Sequence, residues 1–540
     1  MMKKGKIRFV AMLLALLMTF VFAGCGAKED AAPVPSKKET NASQSSPAPA
    51  PAASEPAKIE PAEPRHLNAA SHMVGTSLDS AANYQGWVVT RAGIGETLLK
   101  LNDAVELEGC LADSWEWTND YTLKLHIRDG VTFQNGKKLD ADSVKASFER
   151  TAEINNRFPM YIDLKEFRTD GEYFIIESNS MNPQMLWNLV EPCFCVMDVT
   201  AADPVNAPVG TGPYKVVSFV EDHIELEAYA DYWRGTPGLD TITFTKISDA
   251  QARVMGLQSG ELDVTVTIDN TNLSLFDNPD YNVSLVTGAR TNVVKMNNKS
   301  RFLSSKELRQ AISWAIDRET YSKTITGGEA STCIFPSSTP FDAGSINGYG
   351  FDQEKASKIL DDAGIVDKDG DGIRELNGEN IVLDYYQTAA HGSSEAGLIA
   401  QAIQSDVKKI GIQINIQSAE NLSEVRKAGA FDFYSDNSNT VPTGDGQYFL
   451  NNMYSSASGS NYTGYSSAEF DAVLDEFNRT YEAEKRYELA HKAAQILVDD
   501  AADLYVTAVP MNTVSRSYVR NAVQPTIDYY MLTWDYTIEK

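Results

Sequence analysis

Apolar and polar residues alternate with a period of two over residues 121–127, where Leu123, Leu125 and Ile127 are separated by Lys124 and His126. That is the signature of a half-buried strand, and shorter apolar runs over 174–178 and 381–386 predict two more. Helical spacing covers 395–410 and 483–498. Ser304 with Glu307 reads as a capping box ahead of Leu308, Ile312 and Ala315, one face of a further helix. Strand-like and helix-like segments alternate irregularly, with no long repeat or heptad, which predicts mixed α/β lobes. The pattern changes before residue 65. An unbroken apolar run over 9–22 follows Lys3, Lys4, Lys6 and Arg8 and ends at Ala23-Gly24-Cys25. Residues 27–64 then carry almost no large apolar side chains.

The first of these segments has the charge, length and small-residue exit of a secretory leader, and it is shorter than the ~20 residues of a spanning helix. The second cannot bury enough surface to offset its ordering entropy and reads as a tether. The remaining ~475 residues exceed one hydrophobic core, so at least two lobes are expected. The chain holds 74 acidic against 47 basic residues, and four of the basic ones sit in the leader. Such acidity excludes a nucleic-acid binder and disfavours adhesion to anionic lipid.

Apart from Cys25 there are Cys110, Cys193, Cys195 and Cys333, too few for a disulfide framework in so long a chain. Cys193 and Cys195 fall on one face of a possible strand and read as buried, inert thiols. Asp367-Lys-Asp-Gly-Asp-Gly-Ile-Arg-Glu375 begins like a calcium loop, but Gly378 occupies the twelfth position, so a turn is expected. No nucleophile elbow, zinc-protease helix or phosphate loop is present, which points away from an enzyme.

Several motifs occur in a fixed order: Leu111-Ala-Asp-Ser-Trp115, Asp129-Gly-Val-Thr-Phe-Gln-Asn-Gly136 leading into residues 139–148, Pro208-Val-Gly-Thr-Gly-Pro-Tyr-Lys215, and residues 306–318. Together they resemble the nickel/peptide class of ABC-importer solute-binding proteins, bacterial extracellular family 5, and residues 22–25 resemble the lipobox that carries a diacylglycerol on its cysteine. The resemblance implies a two-lobed α/β periplasmic-binding-protein-like fold of class II type that closes on solute. It places lobe I at 65–300 plus 506–540 with an inserted subdomain near 102–205, and lobe II at 301–505, behind a leader at 1–24 and a lipidated tether at 25–64. It implies a monomer without cofactor, held on the outer face of the cell membrane by Cys25, with a permease and an ATPase as partners.

Scaffold roles are expected for Gly210, Gly212 and Pro213, as a tight connection between lobes, and for Arg309, Asp317 and Arg318, as ion-paired helix-surface residues. The resemblance points to Arg157 as a guanidinium gripping solute carboxylates, with Tyr84, Trp87 and Arg91 beside it. From the second lobe it adds Asp436, Thr443, Asp445 and Tyr448. No histidine lies between His391 and His491, so a ligand bringing its own donors is expected, nickel or a related metal as a small chelate. Oligopeptide is the alternative, with Asp436 facing its α-ammonium. One outcome is expected at once: Cys25→Ser should release mature-length protein into the medium or abolish processing. Mass spectrometry showing an unmodified Cys25 behind an intact leader would refute the anchor.

Overall fold

The computed structural model describes residues 64–539 except 221, 389–393 and 420. The leader, Cys25 and the tether up to residue 63 lie outside the described residues. One eleven-stranded sheet runs through the whole body. Its strands lie in the order Gln413–Ala419, Val382–Thr388, Phe433–Asn439, Tyr281–Met296, Asp503–Arg516, Val264–Val266, His66–Ser71, Thr241–Lys246, His223–Ala228 and Tyr214–Val220, with Glu329–Ala330 on the flank of Asp503–Arg516. At the centre of the sheet an antiparallel ladder pairs Tyr281–Met296 with Asp503–Arg516. Its register shifts between Thr287 and Thr291 and again between Asn292 and Val293. Such irregularities bend a strand and raise its twist, which lets one sheet serve two lobes.

A separate four-stranded antiparallel sheet is built from Ala112–Asn119, Thr122–Ile127, Leu164–Asp170 and Tyr173–Ser178. Helix Ala141–Ile154 starts where Asp140 and Ser143 form reciprocal caps. Its Phe148 packs against Phe167 and Phe174 of that sheet. In the second lobe, helices Lys306–Ala315 and Ser394–Lys408 cover the sheet with Leu308, Ile312, Ile399 and Ile403 in one apolar core.

Four local expectations need correction. The cap of Lys306–Ala315 is Ser305, whose Oγ accepts from the Leu308 N–H, one residue later than expected. Arg309 and Arg318 are buried rather than ion-paired on a surface. Arg309 donates to the carbonyls of Leu303, Asp500 and Ala501, and Arg318 to those of Ser313 and Tyr505, while Asp317 caps the short helix after it. Gly210 and Gly212 join no lobes; a Cβ on either would stand 2.3 Å from the carbonyl oxygen of Ile94 or Gly93, so glycine permits two first-lobe segments to touch. Cys193 lies in a 3-10 turn, Pro192–Phe194, and not in a strand; all four described cysteines are buried and free.

The ladder ends on a fully buried ion pair, Lys295 Nζ to Asp503 Oδ2 at 2.8 Å. Tyr454 Oη and the Met296 N–H also donate to Asp503. No helix among the described residues is long and apolar enough to cross a membrane. Lys295→Met should destabilise the protein by about 3–5 kcal/mol, because Asp503 would keep a buried charge without its counter-ion. Urea denaturation checks it, and a loss under about 1 kcal/mol would mean that Asp503 is protonated in the folded state.

Candidate functional site

Asn155 Oδ1 accepts from the Arg157 N–H at 2.9 Å and fixes the turn that opens helix Phe158–Tyr161. From that turn the Arg157 guanidinium lies 3.8 Å from the ring centre of Tyr84, donates to Tyr161 Oη, and meets Glu191 Oε1 at 3.0 Å. Glu191 is 1% exposed. It also accepts from Trp87 Nε1 at 2.9 Å and from Tyr529 Oη at 3.3 Å. Although burial opposes it, the Glu191 carboxylate holds the Arg157 pKa above its ordinary value. The predicted residues Tyr84, Trp87 and Arg157 therefore do come together, around an acid that the sequence reading missed.

Arg91, also predicted, is spoken for in the same way. Its Nη2 meets Asp528 Oδ2 at 2.6 Å, its Nε donates to the Asp528 carbonyl, and its guanidinium sits 5.2 Å from the Trp87 ring centre. Beside this pair is a cavity of about 40 Å³ lined by Ser71, His72, Thr267, Gln524 and Asp528 among others. The buried His72 Nδ1 has no hydrogen-bond partner among the described residues. Burial, with the charges of Arg253, Arg91 and Arg290, pushes the His72 pKa down to about 4, so the ring is neutral at physiological pH. Neither His72 nor Arg290 figured in the sequence reading.

The second lobe meets this face through residues 440–448. Tyr448 stacks on Tyr161 with ring centres 5.8 Å apart, and Tyr529 Oη donates to the Pro442 carbonyl. Gly444 takes a positive φ of 76° with its Cα against Leu101 and Val105, a close approach that a side chain would block. Asp445 does not face a cleft. It is fully buried and gripped by Arg486 in a two-bond fork, 2.7 and 2.9 Å, with that guanidinium 4.7 Å from the Trp187 ring centre. Thr443 is likewise fully buried, and its hydroxyl has no partner among the described residues. Asp436 is half-buried on strand Phe433–Asn439 opposite Val293, and its charge raises the pKa of Tyr434, where burial is the larger cause.

Residues 106–461 match the model of bacterial extracellular solute-binding proteins, family 5, middle. The chain belongs to this family. It is 28% identical over 465 residues to the nickel-binding protein NikA of Staphylococcus aureus, covering 85% of this chain and 92% of that one. It is 27% identical over 409 residues to the oligopeptide-binding protein AppA of Bacillus subtilis, covering 70% and 74%. A crystal structure of the S. aureus NikA in complex with Ni(L-His)2 superposes with a TM-score of 0.71 at 26% identity, over 88% of this chain and 100% of that one.

Two other features of this family 5 protein lie apart from the interlobe face. A cavity of about 540 Å³ is lined only by residues between 90 and 110, between 213 and 234 and between 521 and 535, so the second lobe does not close it. In the loop that begins like a calcium site, Asp367, Asp369 and Glu375 bring oxygens within 4.8 Å of one another. There Asp367 accepts from the N–H groups of Gly370 and Gly372, and Glu375 from that of Lys368, which is how a turn is tied.

The Arg157–Glu191 pair makes a direct prediction. Glu191→Gln should cost about 3–5 kcal/mol, since it leaves a half-sequestered guanidinium without its anion, whereas Arg157→Met with Glu191→Leu should cost less than the two single changes together. A double-mutant cycle in urea measures the coupling; a value below about 0.5 kcal/mol would separate the two residues.

Proposed function

We propose that this protein is the extracytoplasmic receptor of an ABC importer, capturing nickel or a related transition metal as a small carboxylate-bearing chelate between its lobes. The observation that carries the reading is the likeness to the S. aureus nickel-binding protein, which spans both lobes rather than one motif. Tyr84, Trp87, Arg157 and Tyr448 form the walls of the site, and Thr443 offers a hydroxyl from the second-lobe loop. A neutral His72 adds a nitrogen donor of the kind that transition metals accept. Lobe I comprises 65–300 plus 506–540 with its subdomain at 102–205, and lobe II 301–505; the central ladder is their hinge. Cys25 carries the lipid, the receptor works as a monomer, and a permease with its ATPase receives the solute.

Binding is a population shift between open and closed lobes, driven by contacts that exist only when ligand touches both. No bond of the solute is made or broken, so a purified protein that steadily hydrolyses a peptide it binds would contradict the proposal. Oligopeptide is the second reading, favoured by Asp436, whose side chain has no partner among the described residues, and by the likeness to AppA. Native mass spectrometry with metal analysis, on protein purified from its own host, should find one metal chelate per monomer; a retained peptide without metal would favour the second reading. Stripping the metal should lower the melting temperature, because a ligand at 100 times its Kd contributes about 2.7 kcal/mol to the folded state.

A further inference from the structure

The cations around the interlobe face differ in what already holds them. Arg157 is paired with Glu191 at 3.0 Å and Arg91 with Asp528 at 2.6 Å. Freeing either guanidinium for a ligand would strand its carboxylate partner, the buried Glu191 or the half-buried Asp528. Arg253 spends its terminal donors on the carbonyls of Ile247 and Thr267. The half-buried Arg290 is the one of these whose side chain makes no hydrogen bond or ion pair among the described residues. It sits on strand Tyr281–Met296 at the irregular stretch of the central ladder, opposite Asn439.

Its surroundings are those of the site. The carbonyl of Ala289, its neighbour, accepts from the Thr440 N–H at 3.2 Å, which brings Arg290 to the second-lobe loop whose Pro442 carbonyl takes the Tyr529 hydroxyl. The Arg290 charge reaches His72, Asp528 and Tyr529. Asp436 is three positions along the partner strand, opposite Val293, so strand alternation puts it on the other face of the sheet. The Arg157 and Arg91 charges are met by acids and the terminal donors of Arg253 by carbonyls, which leaves Arg290 as the guanidinium of this group whose donors are unspent.

We infer that Arg290, and not Arg157, is the residue that grips the carboxylate of the bound chelate, and so sets the preference for a metal ligand that carries one. This rests on the nickel-chelate reading above. Arg157 is instead a positioning residue that holds Tyr84 and Tyr161 in place through Glu191. The guanidinium fork suits a carboxylate better than a lysine point charge.

The test is a cycle between the side chain and the ligand group. Calorimetric titration of the full chain with nickel plus L-histidine, and with nickel plus histamine, which lacks the carboxylate, gives the wild-type preference. We expect the histidine chelate to bind on the order of a hundredfold more tightly. Arg290→Met should erase that preference, and Arg290→Lys should restore part of it. Arg157→Met should weaken both chelates alike. Thermal unfolding of each variant shows whether it is folded before titration, and the lysine variant keeps the test open if the methionine one is not. A folded Arg290→Met that keeps the wild-type preference overturns the inference, as does a wild-type protein with no preference. A wild-type protein that binds neither nickel chelate but does bind a peptide overturns the nickel reading and the inference with it.

Discussion

Much of this molecule hangs on the ladder between Tyr281–Met296 and Asp503–Arg516, the long central pairing of the eleven-stranded sheet, flanked by Phe433–Asn439 on one side and Val264–Val266 on the other. A continuous ladder would make one rigid slab of the eleven strands. The shifts at Thr287/Thr291 and Asn292/Val293 leave residues without ladder partners, and a strand interrupted there can change its bend at little cost. The ends of the ladder are by contrast held hard. Val264–Val266 pairs with Thr513, Val514 and Ser515 in the first lobe, and Lys295 is buried against Asp503 in the second. The irregular stretch between these ends, which carries Ala289 and Arg290, is where the sheet can bend.

Periodicity read the scaffold well because burial on one face leaves its mark on neighbouring residues. The alternation over 121–127 became Thr122–Ile127, and the helical spacing over 395–410 and 483–498 became Ser394–Lys408 and Ala483–Asp499. What periodicity could not reveal was the environment of polar groups. Arg309 and Arg318 look like surface residues of a helix, yet each is drawn inward by carbonyls near 500–505, almost 200 residues away. Burial is the largest influence on Arg318 and, against the opposing effects of Tyr321 and Tyr349, pushes its pKa down to about 10. Gly210 and Gly212 were legible as glycines that something required, but the requirement came from residues 93–95 and not from a hinge.

The site was legible in its aromatic and cationic parts and opaque in its anions. Tyr84, Trp87, Arg157 and Tyr448 converge on one face, whereas Arg91 and Asp445 are absorbed by partners, Asp528 and Arg486. Glu191 could have been found, since an acid at the end of the run Met185-Leu-Trp-Asn-Leu-Val190 must have a partner if that run is buried. Arg290 had no such signal. Its neighbours in sequence are ordinary strand residues, and its meaning comes only from the absence of a counter-ion in three dimensions. Unpaired charge is a property of the fold, so residue type and spacing do not encode it.

Closure adds a further constraint on what any solute must supply. The lobes already touch through Tyr161 on Tyr448, through Trp187 under Arg486, and through Trp117 against Tyr481, whose hydroxyl donates to the Asp120 carbonyl. These contacts hold the two sides together whatever the solute is, and they are neutral or internally paired. A solute shifts the lobe equilibrium only by the difference between its affinities for the two arrangements. With aromatic contacts independent of the solute, discrimination in the proposed reading falls to groups left without partners among the described residues, among them the His72 imidazole nitrogen and the Thr440 and Thr443 hydroxyls, together with the Arg290 guanidinium inferred above. The chain as a whole is acidic, 74 acidic residues against 47 basic, and repels free carboxylates at long range, so the charge that recruits one has to be local.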